Sequence, residues 1–402
     1  HLSLRRQRQM CIRDRLRTPG NTKLFMTNKN NAAESIRGLA CIAVVLSHLS
    51  LTFFPQLHNY DQSDLPEFDF LSSINQSPFA FFYSGTGAVF VFFVLSGYVL
   101  SLSSLKHDNS LKRLKTSLVK RYPRLAIPTL FSCLAAFLVC YLPVDVSHIS
   151  SWGAGLAHPE PHILSALYEG TIGSFLFGDS NYNWVLWTMQ IEMLGSLIIY
   201  FACYLYSTRK LATVGFLALS LLGSFFISWT VFLGIISFVL GMGIYLYAKE
   251  LPNLIAIPMF ALGLYFCGAH NDSVSYKFFF NVLHASTYDI LNFLGGFFVV
   301  YSVLKSKLLS ELGDQKFLVF LGKVSFSVYL IHLAVTYGLG IPFFNLLFVQ
   351  WHLSFLSAGL LACLFTLGAS VLLAVPCSRY VDDFAVKVSN KVAAKLLPPK
   401  NA

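Results

Sequence analysis

The chain has 402 residues, of which 55% are hydrophobic and only 12% charged, with mean hydropathy +0.62. A soluble globular chain carries about 25% charged residues, so this composition excludes a water-soluble fold and points to a polytopic membrane protein. The net charge of +10 is concentrated at one end: Arg5, Arg6, Arg8, Arg13, Arg15, Arg17 and Lys23 face Asp14 alone within residues 1–25, which speaks against a distributed nucleic-acid-binding surface, and no nucleic acid is expected as a partner.

Residues 1–25 read as a non-native or disordered basic leader and are set aside. A window of about 20 residues then finds ten apolar spans, with cores near 36–54, 79–103, 125–143, 184–206, 211–227, 229–248, 253–269, 287–305, 317–340 and 355–375. The expectation is an all-α transmembrane helix bundle in one membrane domain, residues 26–380, followed by a cytoplasmic tail, 381–402. The weak points are the fifth to seventh spans, which are short enough to hide a re-entrant segment.

Loop charges test the count, because Lys and Arg collect on the cytoplasmic side. The first loop has Asp61, Asp64, Glu67 and Asp69 and no basic residue, whereas the next has Lys106, Lys112, Arg113, Lys115, Lys120, Arg121 and Arg124. The 144–183 loop is acidic again, and Arg209 with Lys210, Lys249, and Lys305 with Lys307 and Lys316 fall in alternate loops. This alternation places both termini in the cytoplasm. Cys41, Cys133, Cys140, Cys203, Cys267 and Cys363 lie within spans and Cys377 just beyond one, so they read as small apolar packers rather than a disulfide framework.

Ionisable groups inside these spans need a reason, since a charge in lipid is expensive. The first span, RGLACIAVVLSH (37–48), opens with Arg37 and closes with His48. Eleven helical residues rise about 16 Å and return to within about 20° of the starting face, so the two share a stripe. GAVFVFFVLSGYVLS (87–101) carries Ser96, NWVLWTMQIEMLGS (183–196) carries Glu192, and GKVSFSVYLIHL (322–333) puts Tyr329 and His332 on one face. KRYPRLAIP (120–128) sets Arg121 and Arg124 at the head of the third span. A proton-coupled transporter would use the same His, Glu and Arg residues, and this is the alternative to an enzyme.

Taken in order, these stretches resemble the acyltransferase 3 family of ten-span membrane acyltransferases, from about position 35 to near the end. Arg37 and Gly38 with His48, FFVLSGY (92–98), RYPRLAIP (121–128), LWTMQIE (186–192) and VSFSVYLIH (324–332) carry the resemblance. The chain departs from the family's terminal Glu-Pro pattern, offering YVDDF (380–384) with Asp382 and Asp383 instead. The resemblance implies transfer of an acyl group, commonly acetyl, from an acyl-CoA donor to a hydroxyl of a glycan, lipid-linked saccharide or other small acceptor. It implies a multi-pass protein of a bacterial inner membrane. His48 would then be the general base and Glu192 its partner, and Arg37, Arg121 and Arg124 would bind the anionic donor from the cytosol, with Ser96, Tyr329 and His332 in support. No bound cofactor is expected. No metal is expected either, because the prolines in AHPEPHI (157–163) prevent the helix that would align His158 and His162. Trp152, Tyr168, Tyr182 and Trp184 in or beside the same loop suit either sugar stacking or an interfacial aromatic belt.

Overall fold

The structure is a computed structural model describing residues 20–60, 65–106, 111–157, 160–270 and 273–397, with side chains from residue 31 onward. Most of the basic leader, Asp61 and Asp64 of the first acidic loop, and His158 lie outside the described residues. Helices form the whole framework, and no strand occurs among the described residues.

Ten apolar helices stand where the hydropathy placed spans. They are α1 (Gly20–Phe53), α2 (Gly85–Leu105), α3 (Leu111–Val139), α5 (Trp184–Thr208), α6 (Lys210–Ile227), α7 (Trp229–Tyr247), α8 (Asn253–Cys267), α9 (Thr287–Lys305), α10 (Lys316–Gln350) and α11 (Phe355–Cys377). Nine apolar stretches among the described residues are long enough to cross a bilayer; α8, with 15 residues, spans only about 22 Å. α1 packs most extensively on α10, and α2 lies between α1, α7 and α9. α6 is peripheral: Leu211, Leu219 and Phe226 are all exposed, the pattern of a face turned to lipid.

The contact of α1 with α10 depends on Gly38 and Gly322. A Cβ on Gly38 would lie 2.7 Å from the Gly322 nitrogen, and one on Gly322 would collide with the Glu34 backbone. Small residues at a membrane helix crossing let the backbones approach, and Arg37 and Lys323, the neighbours of the two glycines, line one cavity.

The 144–183 segment departs from the expected outside loop. The fourth helix in chain order, α4 (Ile163–Leu176, with a π-turn at Glu169–Gly173), descends antiparallel along α3. Tyr141 donates to the Pro161 carbonyl at the top, Gly170 packs on Leu130, and Tyr122 donates to the Thr171 carbonyl at 2.7 Å near the bottom. Tyr122 is the neighbour of Arg121, so the hairpin reaches deep into the bundle before residues 177–183 climb back. It is a re-entrant segment, and it sits before the fourth span rather than among spans five to seven. Irregular backbone at membrane depth requires partners within the protein, and Glu169 supplies them: its buried carboxylate accepts the backbone N–H groups of Asn181 (2.8 Å), Tyr182 (3.0 Å) and Asn183 (3.2 Å). The loop charge pattern could not distinguish an acidic surface loop from a hairpin that swallows its own glutamate.

Beyond α11 a π-turn (Ser378–Asp382) leads into α12 (Asp383–Leu396). The segment expected as a tail thus forms an amphipathic helix from residue 383, burying Ala385, Ser389 and Ala393 in one stripe. The helix lies against α3.

Candidate active site

His48, on α1, and His332, on α10, meet in the interior, with His48 Nδ1 2.8 Å from His332 Nε2. The other nitrogen of His332, Nδ1, lies 2.8 Å from the Tyr329 carbonyl and 3.2 Å from that of Val328. A carbonyl can only accept, so His332 Nδ1 carries the proton and its Nε2 presents a lone pair. His48 Nδ1 must therefore donate, which leaves the lone pair of His48 on Nε2. His332 is fully buried and His48 half-buried. The Trp152 indole lies parallel to the His48 ring at 5.2 Å and meets Trp184 edge-on.

A cavity of about 500 Å³ opens at the end of the bundle where α3 begins and α11 ends. Arg37, Arg121, Arg124, Lys323, Ser96, Glu192 and Tyr329 line it. Tyr329 sits at its inner end, with its hydroxyl 2.9 Å from Thr188 Oγ1 and 2.9 Å from the Val185 carbonyl. His332 follows Tyr329 by one helical turn on the same face of α10, so the cavity ends just below the histidine pair.

The residues expected to form the site divide into groups. Glu192 does not reach an imidazole: it forms an ion pair with Arg121 and accepts from Ser96 Oγ at 3.1 Å through both oxygens. Arg121 also donates through Nε to Ser196 Oγ at 2.9 Å, and it is buried. Its charge is therefore already satisfied within the protein. Arg37 pairs with Glu34 at 3.1 Å, with both side chains partly accessible. Arg124 and Lys323 line the same cavity, are exposed, and make no hydrogen bond or ion pair among the described residues.

Lys323 was not singled out from the sequence, although it follows Gly322 within a quoted motif. Asp382, noted in the sequence without a role, also joins the site: it accepts from Ser327 at 2.7 Å, and Ser378, Asp382, Asp383 and Val386 form one cavity wall. No group of three or more His, Cys, Asp or Glu among the described residues is arranged to hold a metal ion, and no disulfide joins the cysteines among the described residues.

The site is thus a membrane-buried imidazole pair at the end of a cavity lined by four cationic and four carboxylate side chains, inside an all-α polytopic bundle. The chain belongs to the acyltransferase 3 family, whose acyltransferase domain matches residues 30–375. It is 26% identical over 248 residues to O-acetyltransferase PaAT-1 of Phomopsis amygdali, covering 52% of this chain and 47% of that protein. The chain therefore spans about half the length of that curated relative. No solved structure matches. The family's acyltransferase domain covers both histidines of the site.

Proposed function

We propose that the protein is an O-acyltransferase that carries an acyl group, acetyl in the simplest case, from acyl-CoA to an acceptor hydroxyl, with His48 as general base. The observation that carries this reading is the cavity that ends at Tyr329, one turn below His332, which accepts from His48 Nδ1–H and so leaves the Nε2 lone pair of His48 free. The donor phosphates fit the mouth, where the side chains of Arg124 and Lys323 are exposed and make no ion pair among the described residues. In a bacterial inner membrane that mouth is the cytosolic one, by the Lys and Arg content of its loops.

The chemistry balances without a cofactor. His48 Nε2 takes the acceptor's hydroxyl proton as its oxygen attacks the thioester carbonyl. The tetrahedral intermediate collapses with cleavage of the carbon–sulfur bond, and the imidazolium returns the proton to the departing thiolate. His332 is a positioning residue: it accepts from His48 Nδ1–H and so keeps the lone pair on the working nitrogen, the role that an orienting group plays for any catalytic imidazole. The hydroxyl belongs to a saccharide or other small polyol in this reading, consistent with the O-acetyltransferase relative.

Labelled acetyl-CoA with the purified protein and a hydroxyl acceptor tests the reading. His48→Gln should lose about 10²- to 10⁴-fold in turnover with donor affinity unchanged. Near-wild-type transfer by a folded His48→Gln protein would remove the general-base role.

A further inference from the structure

The inner end of the cavity carries one more hydrogen-bond donor than its acceptor needs. α5 opens with a 3₁₀ turn, Trp184–Trp187, and three donors approach the Val185 carbonyl of that turn. The Thr188 backbone N–H reaches it, shared with the Leu186 carbonyl, and Thr188 Oγ1 donates to it at 2.8 Å. The Tyr329 hydroxyl crosses from α10 to the same oxygen at 2.9 Å and stands 2.9 Å from Thr188 Oγ1. A carbonyl oxygen has two lone pairs, and the two donors of Thr188 fill them. The Tyr329 proton is therefore surplus: it can turn to another acceptor without leaving the buried carbonyl unsatisfied, the usual cost of breaking such a bond.

This donor sits where the chemistry needs one. Tyr329 and Thr188 are both buried and both line the cavity. The Tyr329 ring lies 6.2 Å from that of His332, whose ring is 5.1 Å from His48. Trp184, the residue before Val185, meets the Trp152 indole that covers His48. The other polar side chains deep in the cavity are committed. Ser96 donates to Glu192, Ser325 donates to the Gly322 carbonyl at 2.7 Å, and Arg121 is held by Glu192 and Ser196. Attack on a thioester turns its carbonyl oxygen into an alkoxide, and a preoriented donor inside the protein is the largest help an enzyme gives to that charge.

We infer that the Tyr329 hydroxyl is the oxyanion donor of acyl transfer, with Thr188 as the positioning residue that keeps the Val185 carbonyl satisfied. The assignment rests on the O-acyltransferase reading and adds to it the group that touches the reacting oxygen. As the acceptor oxygen bonds to the thioester carbon, the carbonyl π pair moves onto its oxygen, and Tyr329 O–H turns from Val185 to that oxygen while keeping its own proton. When the carbon–sulfur bond breaks, the pair returns to re-form the carbonyl, sulfur leaves with the bonding electrons, and Tyr329 swings back to Val185.

Infrared spectra of carbonyl-labelled acetyl-CoA bound to the full chain in detergent, with thiol release measured on the same samples with glycerol and water as acceptors, test the assignment. The thioester carbonyl band should lie at lower frequency in wild type than in Tyr329→Phe, because only wild type offers it a hydroxyl. Tyr329→Phe should keep its acetyl-CoA affinity and lose about 10²- to 10³-fold in turnover, the effect of removing one oxyanion donor. Thr188→Val leaves the phenol in place, so it should keep the lowered band and lose less turnover than Tyr329→Phe. A ring-fluorinated tyrosine at position 329 retains the fold and strengthens the donor, so it should lower the band further and keeps the test valid if Tyr329→Phe misfolds. The same band in wild type and Tyr329→Phe, no response to fluorination, or a greater loss in Thr188→Val than in Tyr329→Phe overturns the assignment. A lowered band in a wild-type protein that releases no thiol would instead defeat the acyl-transfer reading and leave the hydrogen bond standing.

Discussion

His48 and His332 join α1 to α10 through a single 2.8 Å contact between Nδ1 and Nε2, and the second histidine is anchored by a backbone carbonyl of its own helix. The direction of every proton in that chain follows from the carbonyl at its end. Replacing His332 should therefore act on the base without touching the donor. His332→Gln can still accept from His48 Nδ1–H through its amide oxygen, whereas His332→Leu cannot. Orienting partners of this kind typically carry about 10- to 100-fold in activity. Turnover should rank wild type, then Gln, then Leu, with acetyl-CoA affinity equal in all three; a Leu variant as active as Gln would show that His332 only fills space.

Arginines three apart at the head of α3 looked equivalent in sequence, and the structure separates them. Arg121 is committed to Glu192 and Ser196, while Arg124 and Lys323 stand uncommitted at the cavity wall. Arg124→Ala and Lys323→Ala should each weaken acetyl-CoA binding by about 1.5–3 kcal/mol, the usual cost of losing a hydrogen bond to a charged group, and the loss should shrink as salt rises. Glu192→Gln should show its main effect in stability, because it leaves a buried guanidinium without its counter-charge, and replacing both partners by Met should recover much of that loss. Titration calorimetry and unfolding in detergent, run side by side, decide the assignment: a Lys323→Ala protein with wild-type affinity would take Lys323 out of the donor site.

Much of the framework was legible because lipid leaves few options. Backbone polar groups must pair internally, so a run such as 229–248 has to be a helix, and α7 (Trp229–Tyr247) is where the hydropathy put it. The same logic located His48, Glu192 and His332 as inward-facing polar residues. What could not be read was which of them touch. Helical spacing places Tyr329 and His332 on one face of their own helix, but the meeting of His48 with His332 is set by the crossing at Gly38 and Gly322, a tertiary contact 284 residues apart. The re-entrant hairpin was hidden for a similar reason: Glu169 in a loop looks solvated until the amides of Asn181, Tyr182 and Asn183 are folded onto it.

Orientation in the membrane has its own check. Glu160 is exposed beyond the end of α3, and Lys112 is exposed at its beginning. With Cys11 replaced by Ser, a cysteine replacing Glu160 should react with an impermeant thiol reagent added outside intact cells, and one replacing Lys112 should react only after permeabilisation, since the other seven native thiols lie within or beside the helices. Outside labelling at Lys112 would invert the bundle and place the cavity of Arg124 and Lys323 on the wrong side for cytosolic acyl-CoA.

A pH dependence of stability follows from a second histidine cluster, just past the end of α1. His58 Nε2 lies 2.8 Å from Ser50 Oγ, whose own proton goes to the Ser47 carbonyl at 2.9 Å, so the imidazole is the donor. Its ring packs 5.2 Å from Tyr83 and 5.2 Å from His270, and His270 Nδ1–H donates to the Gly268 carbonyl at 2.9 Å. Among the described residues the titratable groups facing His58 are His270, Tyr83 and His48, with Tyr288 beyond His270 and no carboxylate in contact. Burial pushes the His58 pKa down to about 3, with the neighbouring His270 adding to the effect and the Ser47 carbonyl opposing it; burial lowers His270 as well. An unfolded histidine titrates near about 6.5. Between these values the unfolded chain binds a proton that the folded chain does not, so stability rises with pH across that window and is lost as pH falls through it. The thermal midpoint in detergent should therefore drop between pH 6.5 and 4. His58→Gln keeps an N–H for Ser50 but has nothing to titrate, so its midpoint should fall less steeply over the same range. Parallel slopes in wild type and His58→Gln would assign the acid sensitivity to groups other than this cluster.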